Sequence, residues 1–216
     1  MTVDAVCFDL DDTLYDYHQY ARAGLREAGA HLEAITGEQY DEELLHLYFE
    51  EEITAGTFDV LVERHDLSPA LVGDLIEAFH SASTPLDPYD ETVPVLERIS
   101  DSYQLGLLTD GRGGREKLDR LQIAEYFDVV LVTPTMGCSK HQARPFDELI
   151  SALDIQPERA MYVGDDPRVD FQVPNQRGMT TIRLRRGRYR DLEPSDPDAR
   201  ADNTLTDLTE LIPLVE

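Results

Sequence analysis

The feature that most constrains this chain is a cluster of acids at the end of its first apolar run. Ala5–Leu10 (AVCFDL) has the β-branched and aromatic content of a buried central strand, and it stops abruptly at Asp11-Asp12-Thr13. Asp9, Asp11 and Thr13 alternate, as ligands do in a calcium loop. Such a loop needs Gly at its sixth position and Glu at its twelfth, where this chain has Leu14 and Tyr20. The acids therefore point to other chemistry at a strand end.

The rest of the chain sorts into two patterns. From about Asp16 to Ser81 the spacing is helical, without clear strands. Leu44, Leu45, Tyr48, Phe49 and Ile53 keep one face, Ser68-Pro69 reads as an N-cap and first helical position, and Leu71, Val72, Leu75, Ile76 and Phe79 form a stripe. Ser81–Asp90 (SASTPLDPYD) has linker composition. Beyond it helices and strands alternate. Helices at Glu91–Ser100, Arg115–Leu121, Pro145–Leu153 and Val169–Arg177 lead to strands at Gln104–Thr109, Val129–Val132, Ala160–Val163 and Thr180–Leu184. A last helix is expected over Leu205–Leu214. Alternation of this kind predicts an α/β fold with a doubly wound parallel sheet. The first strand belongs to that sheet, so residues 1–15 and 87–216 form the core, and 16–86 are an inserted helical domain.

Three predicted strands end in acids or hydroxyls: Asp9/Asp11/Asp12/Thr13, Thr109/Asp110/Gly111 and Gly164/Asp165/Asp166/Asp170. That edge of an open α/β sheet is where ligands bind. Lys140 lies in the loop before a helix. In order, FDLDDTL (Phe8–Leu14), LLTDG (Leu107–Gly111), GCSKHQARPF (Gly137–Phe146) and GDDPRVD (Gly164–Asp170) resemble the four motifs of the haloacid dehalogenase superfamily, most of whose members are phosphatases. The resemblance covers nearly the whole chain, and the helical insertion stands where that family carries its C1-type cap.

The resemblance implies a magnesium-dependent phosphomonoesterase. Asp9 is the expected nucleophile, forming an aspartyl-phosphate. Asp11 is the expected acid for the leaving oxygen and then base for water. Thr109, Lys140 and the backbone around Asp110 and Gly111 are expected to hold the phosphoryl oxygens. The Asp9 carboxylate, the Asp11 carbonyl and Asp165 are the expected Mg2+ ligands, with Thr13, Asp166 and Asp170 supporting them. A C1 cap admits a small phosphorylated metabolite: a sugar phosphate, a phosphoglycolate-like acid or a nucleotide monophosphate.

The chain departs from the family pattern in places. The second motif often has Asn where this chain has Asp110, whose charge must point away from a phosphate or pair with a cation. The third commonly reads KPDP and is Lys140-His141-Gln142-Ala143 here, with Arg144 the substitute cation in another register. Val173-Pro174 replaces the usual small pair after the fourth. These departures leave room for a non-catalytic phosphometabolite-binding protein on the same fold. A 2-haloacid dehalogenase usually lacks the second acid of the first motif, so Asp11 counts against it.

Composition narrows the setting. The chain carries 44 acidic and 19 basic residues, a formal net charge of -25, and its only lysines are Lys117 and Lys140. Such a chain repels itself at low salt, and at about 1 M salt the Debye length of roughly 3 Å screens that repulsion. The expectation is a salt-rich cytoplasm, as in a halophilic microbe, and a surface that avoids nucleic acid and anionic membrane. Two cysteines, Cys7 and Cys138, fit a reduced compartment, and MTVDAVCFDLDD has no basic, apolar leader pattern. Six histidines form no HxH or HExxH pattern, so zinc is not expected. RLRRGRYR (Arg183–Arg190) is expected to pair with the chain's own carboxylates or with a subunit, the chain being a monomer or homodimer. Tyr15–His18 and Pro85–Tyr89 are the expected hinges of the cap.

Overall fold

A computed structural model describes residues 3–215 of the chain. It divides into two compact units: residues up to Tyr17 together with those from Leu86 onward, and His18–Pro85. Met1, Thr2 and Glu216, at the ends of the expected core range, lie outside the described residues.

The larger unit is an α/β fold on six parallel strands: β1 (Ala5–Phe8), β2 (Gln104–Thr109), β3 (Val129–Val132), β4 (Ala160–Gly164), β5 (Thr180–Leu184) and β6 (Asn203–Leu205). Their order across the sheet is β3-β2-β1-β4-β5-β6. The order reverses beside β1, whose neighbours are β2 on one side and β4 on the other. Loops leaving the three central strands diverge there and open the crevice in which such sheets bind ligands. β1 and β4 are buried throughout, as strands covered on both faces must be. Ala5, Cys7, Leu108, Phe146, Leu149 and Tyr162 belong to one core cluster. Burial pushes the Cys7 thiol up to about 12, so it is a packing group and not a nucleophile.

The insertion carries most of α1 (Tyr17–Thr36) and all of α2 (Asp41–Phe49), α3 (Thr57–Arg64) and α4 (Leu71–Ser81). Leu25, Leu32, Leu44, Leu61 and Leu75 make its core, and Gly24 lets the Phe79 ring approach α1, since a Cβ there would lie 2.5 Å from that ring. Three expectations from sequence need correction in this unit. α4 starts at Leu71, because Ser68 forms a turn first, its Oγ accepting from Ala70 N at 3.4 Å and its carbonyl from Leu71 N at 3.0 Å. Of the expected stripe only Leu75 and Phe79 are buried, and Ile76 is exposed. Ile53 likewise lies past the end of α2.

The core helices are α5 (Thr92–Ser100), α6 (Gly114–Leu121), α7 (Thr133–Met136), α8 (Ala143–Leu153), α9 (Gln172–Arg177) and α10 (Ile212–Val215). α9 starts after the expected Val169, because Val169 N and Asp170 N fold back onto the Asp166 carbonyl at 3.2 and 3.0 Å. The expected helix over Leu205–Leu214 is not one element. Asn203–Leu205 pairs with β5 as an edge strand, and a 3-10 turn over Leu208–Leu211 precedes α10. The divide is a capping box: Asp207 accepts from Thr209 N at 2.8 Å, and Glu210 accepts from Asp207 N at 2.9 Å. No helix among the described residues is long and apolar enough to cross a membrane.

Candidate active site

The first loop is bent by its own backbone. After β1, Asp9 N donates to Val163 O of β4 at 2.9 Å, and Leu10 O accepts from Thr13 N at 3.2 Å and Leu14 N at 3.0 Å. The turn puts Asp12 in the left-handed region at φ 62. Asp12 is fully buried and held by Tyr17 N at 3.1 Å and by Arg188 Nε. Asp9 and Asp11, before the turn, pair with different lysines, Lys140 and Lys117.

Asp9 joins a buried carboxylate cluster. Oxygens of Asp9, Asp165 and Asp170 lie within 4.8 Å of one another. Lys140 Nζ bridges Asp9 Oδ1 and Asp170 Oδ1, the latter at 2.8 Å. Thr13 Oγ1 donates to Asp165 Oδ1 at 3.1 Å and reaches Asp9 Oδ2 at 3.4 Å. Burial drives the Asp9 carboxyl up to about 7, reinforced by Asp170 and Asp11 and opposed by Lys140. Burial, then the Asp9 and Asp170 charges, hold Asp165 well above the usual carboxylate range. Burial alone lowers the Lys140 ammonium, but Asp170 and Asp9 carry it well above its ordinary value. With all three carboxyls ionised against one ammonium, two negative charges would stand unanswered in a buried place, and Asp165 Oδ2 is buried with no hydrogen-bond partner. Hard oxygen ligands and that deficit fit a divalent cation such as Mg2+.

Asp11 belongs to a separate pair. Lys117, from α6, donates from Nζ to its two oxygens at 2.8 and 2.7 Å, and Tyr15 Oη donates to Oδ1 at 2.6 Å. Burial works against the Asp11 carboxylate, yet Lys117, Tyr15 and Arg188 hold it below the usual range. Gly111 is required by space beside this pair: a Cβ there would stand 2.5 Å from Asp11 Oδ2 and 2.9 Å from Lys117 Nζ.

The second loop supplies Thr109, buried at the end of β2, whose Oγ1 accepts from Gly111 N at 3.0 Å. Asp110 turns from the cluster and ties down the lysine loop, accepting from Lys140 N at 3.0 and 3.3 Å and from the Thr133 hydroxyl. A carboxylate suits these donors because both of its oxygens accept. Arg144 is exposed and pairs with Glu148 at 2.7 Å, so the alternative register is not used. Asp166 is engaged by the Arg168 guanidinium at 2.8–3.2 Å rather than by Lys140.

Asp9, Asp11, Thr109, Asp110, Lys140 and Asp165 line one cavity of about 340 Å³, together with Gly111, Asp166 and Asp170. Its remaining wall is Tyr17, Arg168, Val169, Arg188 and Tyr189; the sequence places Arg168 and Val169 in the fourth motif and Arg188 and Tyr189 in the basic run, but assigns none of them to the site. The Arg188 guanidinium lies 3.6 Å from the Tyr17 ring centre, and Arg168 lies 4.1 Å from that of Tyr189. The rest of the basic run serves the fold, with Arg186 bonded to Glu91 and the Thr13 carbonyl and Arg185 to Glu193. Lys117 was also missed. Its signal was rarity: in so acidic a chain both lysines are about 1% exposed, and each is spent on a carboxylate of the first motif.

Residues 6–184 match the family described as haloacid dehalogenase-like hydrolase. A glyceraldehyde 3-phosphate phosphatase of Methanopyrus kandleri is 34% identical, with 99% of this chain and 97% of that protein covered. Its counterpart in Methanocaldococcus jannaschii is 29% identical, covering 99% and 97%. The magnesium-bound HAD-hydrolase YfnB of Bacillus subtilis, in a crystal structure that reveals interdomain movement, superposes with a TM-score of 0.75 over all of both chains. At 16% identity that likeness concerns the fold alone.

Proposed function

Since this chain belongs to the haloacid dehalogenase-like hydrolases, we propose that it is a phosphomonoesterase in which Asp9 is the nucleophile. The observation that carries this reading is the cluster of Asp9, Asp165 and Asp170, with Lys140 bonded to Asp9 and Asp170 and with Asp165 Oδ2 left without a partner. A carboxylate nucleophile beside its own cation and an unpartnered oxygen ligand suits phosphoryl transfer, where charge must be neutralised as it spreads over the phosphoryl oxygens.

In the first step an Asp9 oxygen attacks phosphorus, the ester P–O bond breaks, and the leaving alkoxide takes a proton from Asp11, which the free protein holds ionised beside Lys117 and which therefore first takes that proton up from solvent. In the second, water attacks the aspartyl-phosphate, gives its proton to Asp11, and the bond from phosphorus to Asp9 breaks. Lys140 and the Thr109 hydroxyl hold phosphoryl oxygens from the protein side. Mg2+ would be held by the carboxylates of Asp9 and Asp165 and the Asp11 carbonyl, with Asp170 and Thr13 behind them, and would supply charge neutralisation at the phosphoryl group. Asp110 spends its oxygens on the Lys140 backbone and the Thr133 hydroxyl, which supports a structural role for it and weakens the main ground for a non-catalytic reading. Asp11 and the carboxylate cluster favour this chemistry over dehalogenation.

The substrate is a small phosphorylated metabolite. The names of the relatives favour a triose phosphate such as glyceraldehyde 3-phosphate, and the helical unit, inserted between the first and second motifs, is the family's C1-type cap. The test is phosphate release from a panel of metabolite phosphates in molar KCl, with and without Mg2+, beside Asp9→Asn. Release that needs Mg2+ and disappears in the variant is expected. Release that persists in Asp9→Asn rejects the nucleophile, and none from folded wild type rejects the enzyme.

A further inference from the structure

Lys117 is the buried ionic group that the reaction above does not use. It stands on α6, away from the phosphoryl group's own lysine, and is 1% exposed. It does not line the cavity, whereas Asp11 does. Its ammonium reaches both Asp11 oxygens, at 2.8 and 2.7 Å. The Tyr15 hydroxyl closes on Oδ1 at 2.6 Å, and the absence of a side chain at Gly111 leaves room for Oδ2. Asp11 is thereby held through both oxygens in one orientation while it still lines the cavity. Burying a lysine is costly unless a paired charge answers it. This chain has otherwise given up lysine except at Lys140.

We propose that Lys117 is a positioning residue for proton transfer to the leaving group, acting on the reaction only through Asp11. The role rests on the phosphatase reading. Lys117 does not line the cavity, so it leaves the attack by Asp9 alone. It sets the aim of the Asp11 carboxyl group, and a misaimed acid matters only where the leaving oxygen needs a proton. An alkyl phosphate leaves as a strongly basic alkoxide and depends on that proton. A p-nitrophenyl phosphate leaves as a weakly basic phenolate and does not.

The experiment compares kcat/KM, which reports the first chemical step from free enzyme, for an alkyl ester (glycerol 3-phosphate) and for p-nitrophenyl phosphate. Lys117→Met is expected to lower kcat/KM about 10²-fold or more on the alkyl ester, and less than about threefold on the aryl ester. In an Asp11→Asn background the same substitution should add nothing on the alkyl ester. Lys117→Arg, which keeps the buried charge if the Met variant does not fold, should lose less and keep the same contrast. Equal losses on both esters, or a further loss in the Asp11→Asn background, would overturn the proposal and leave Lys117 a packing residue. A wild-type chain that hydrolyses neither ester overturns the phosphatase reading, and this role with it.

Discussion

At the scale of single residues, the site is built by pairing buried charges one by one, and each pairing has a consequence in solution. Asp12 sits fully buried at φ 62, answered by Arg188, and Gly187 at φ 64 passes so close that a Cβ would meet Asp12 at 2.4 Å. Gly187→Ala is strained in its backbone and clashes as well, so it should cost about 1–3 kcal/mol, read as a lower urea midpoint at unchanged m-value. Arg188→Met strands the Asp12 carboxylate and should cost about 3–5 kcal/mol by the same measurement. Asp9 gives a pH dependence. Its folded pKa of about 7 lies above the unfolded value near 4, so the metal-free folded state binds more protons across that window. Stability in EDTA should therefore fall as pH rises from about 4 to 7, with the raised Asp165 and Asp170 carboxyls adding to the fall, and Asp9→Asn should make that slope shallower. Added Mg2+ should restore stability most at the upper end, where the carboxylate is free of its proton. A slope of opposite sign, or one that Asp9→Asn leaves unchanged, counts against the burial argument.

At the scale of elements, the regular strands were legible and the short irregular pieces were not. β1 to β5 are apolar runs ended by turn residues, and their signal is local. β6 is three residues, Asn203–Leu205, too few to show a period, and only its pairing with β5 defines it. The four motif loops could be read because their chemistry depends on residue type at fixed spacing. Lys117, Tyr15 and Arg188 could not, since what matters in them is a contact made in space, up to 176 residues apart in the case of Arg188 and Asp12. The chain passages into and out of the helical unit are a mixed case. Linker composition marks Tyr15–His18 and Pro85–Tyr89 as hinges. Tyr15 is nevertheless fully buried and bridged to Pro88, and Tyr89 N donates to Leu14 O at 3.1 Å. We propose that the passages are pinned at these anchors and do not hinge there. In native-state hydrogen exchange the Tyr89 amide should be protected. Rapid exchange at Tyr89 would place the hinge nearer the core.

At the scale of the whole molecule, charge decides the conditions under which the rest operates. A net charge of -25 on 216 residues is an unfavourable self-energy that folding concentrates, because the compact chain brings its acids closer together than the unfolded one. The ion pairs that offset it are few and mostly made by arginine: Arg64 with Glu51, Arg159 with Asp4, Arg177 with Asp147 and Arg185 with Glu193 all stand at the surface. Exposed pairs of this kind contribute about 0–1 kcal/mol each and weaken in salt. The two effects of salt thus oppose each other. Screening removes the repulsion summed over the excess acids, which is large, and removes the attraction of a handful of surface pairs, which is small. The buried pairs at Lys140 and Lys117 are shielded from salt and keep their strength. The melting temperature should therefore rise steadily with KCl from 0.1 to about 2 M, with the active-site pairs unaffected. NaCl should act alike if screening is the cause, since both salts give the same Debye length. A melting temperature that falls with salt, as it would in a protein held together by its surface ion pairs, would show that the acidic surface is no burden at low salt and would remove the ground for a salt-rich setting.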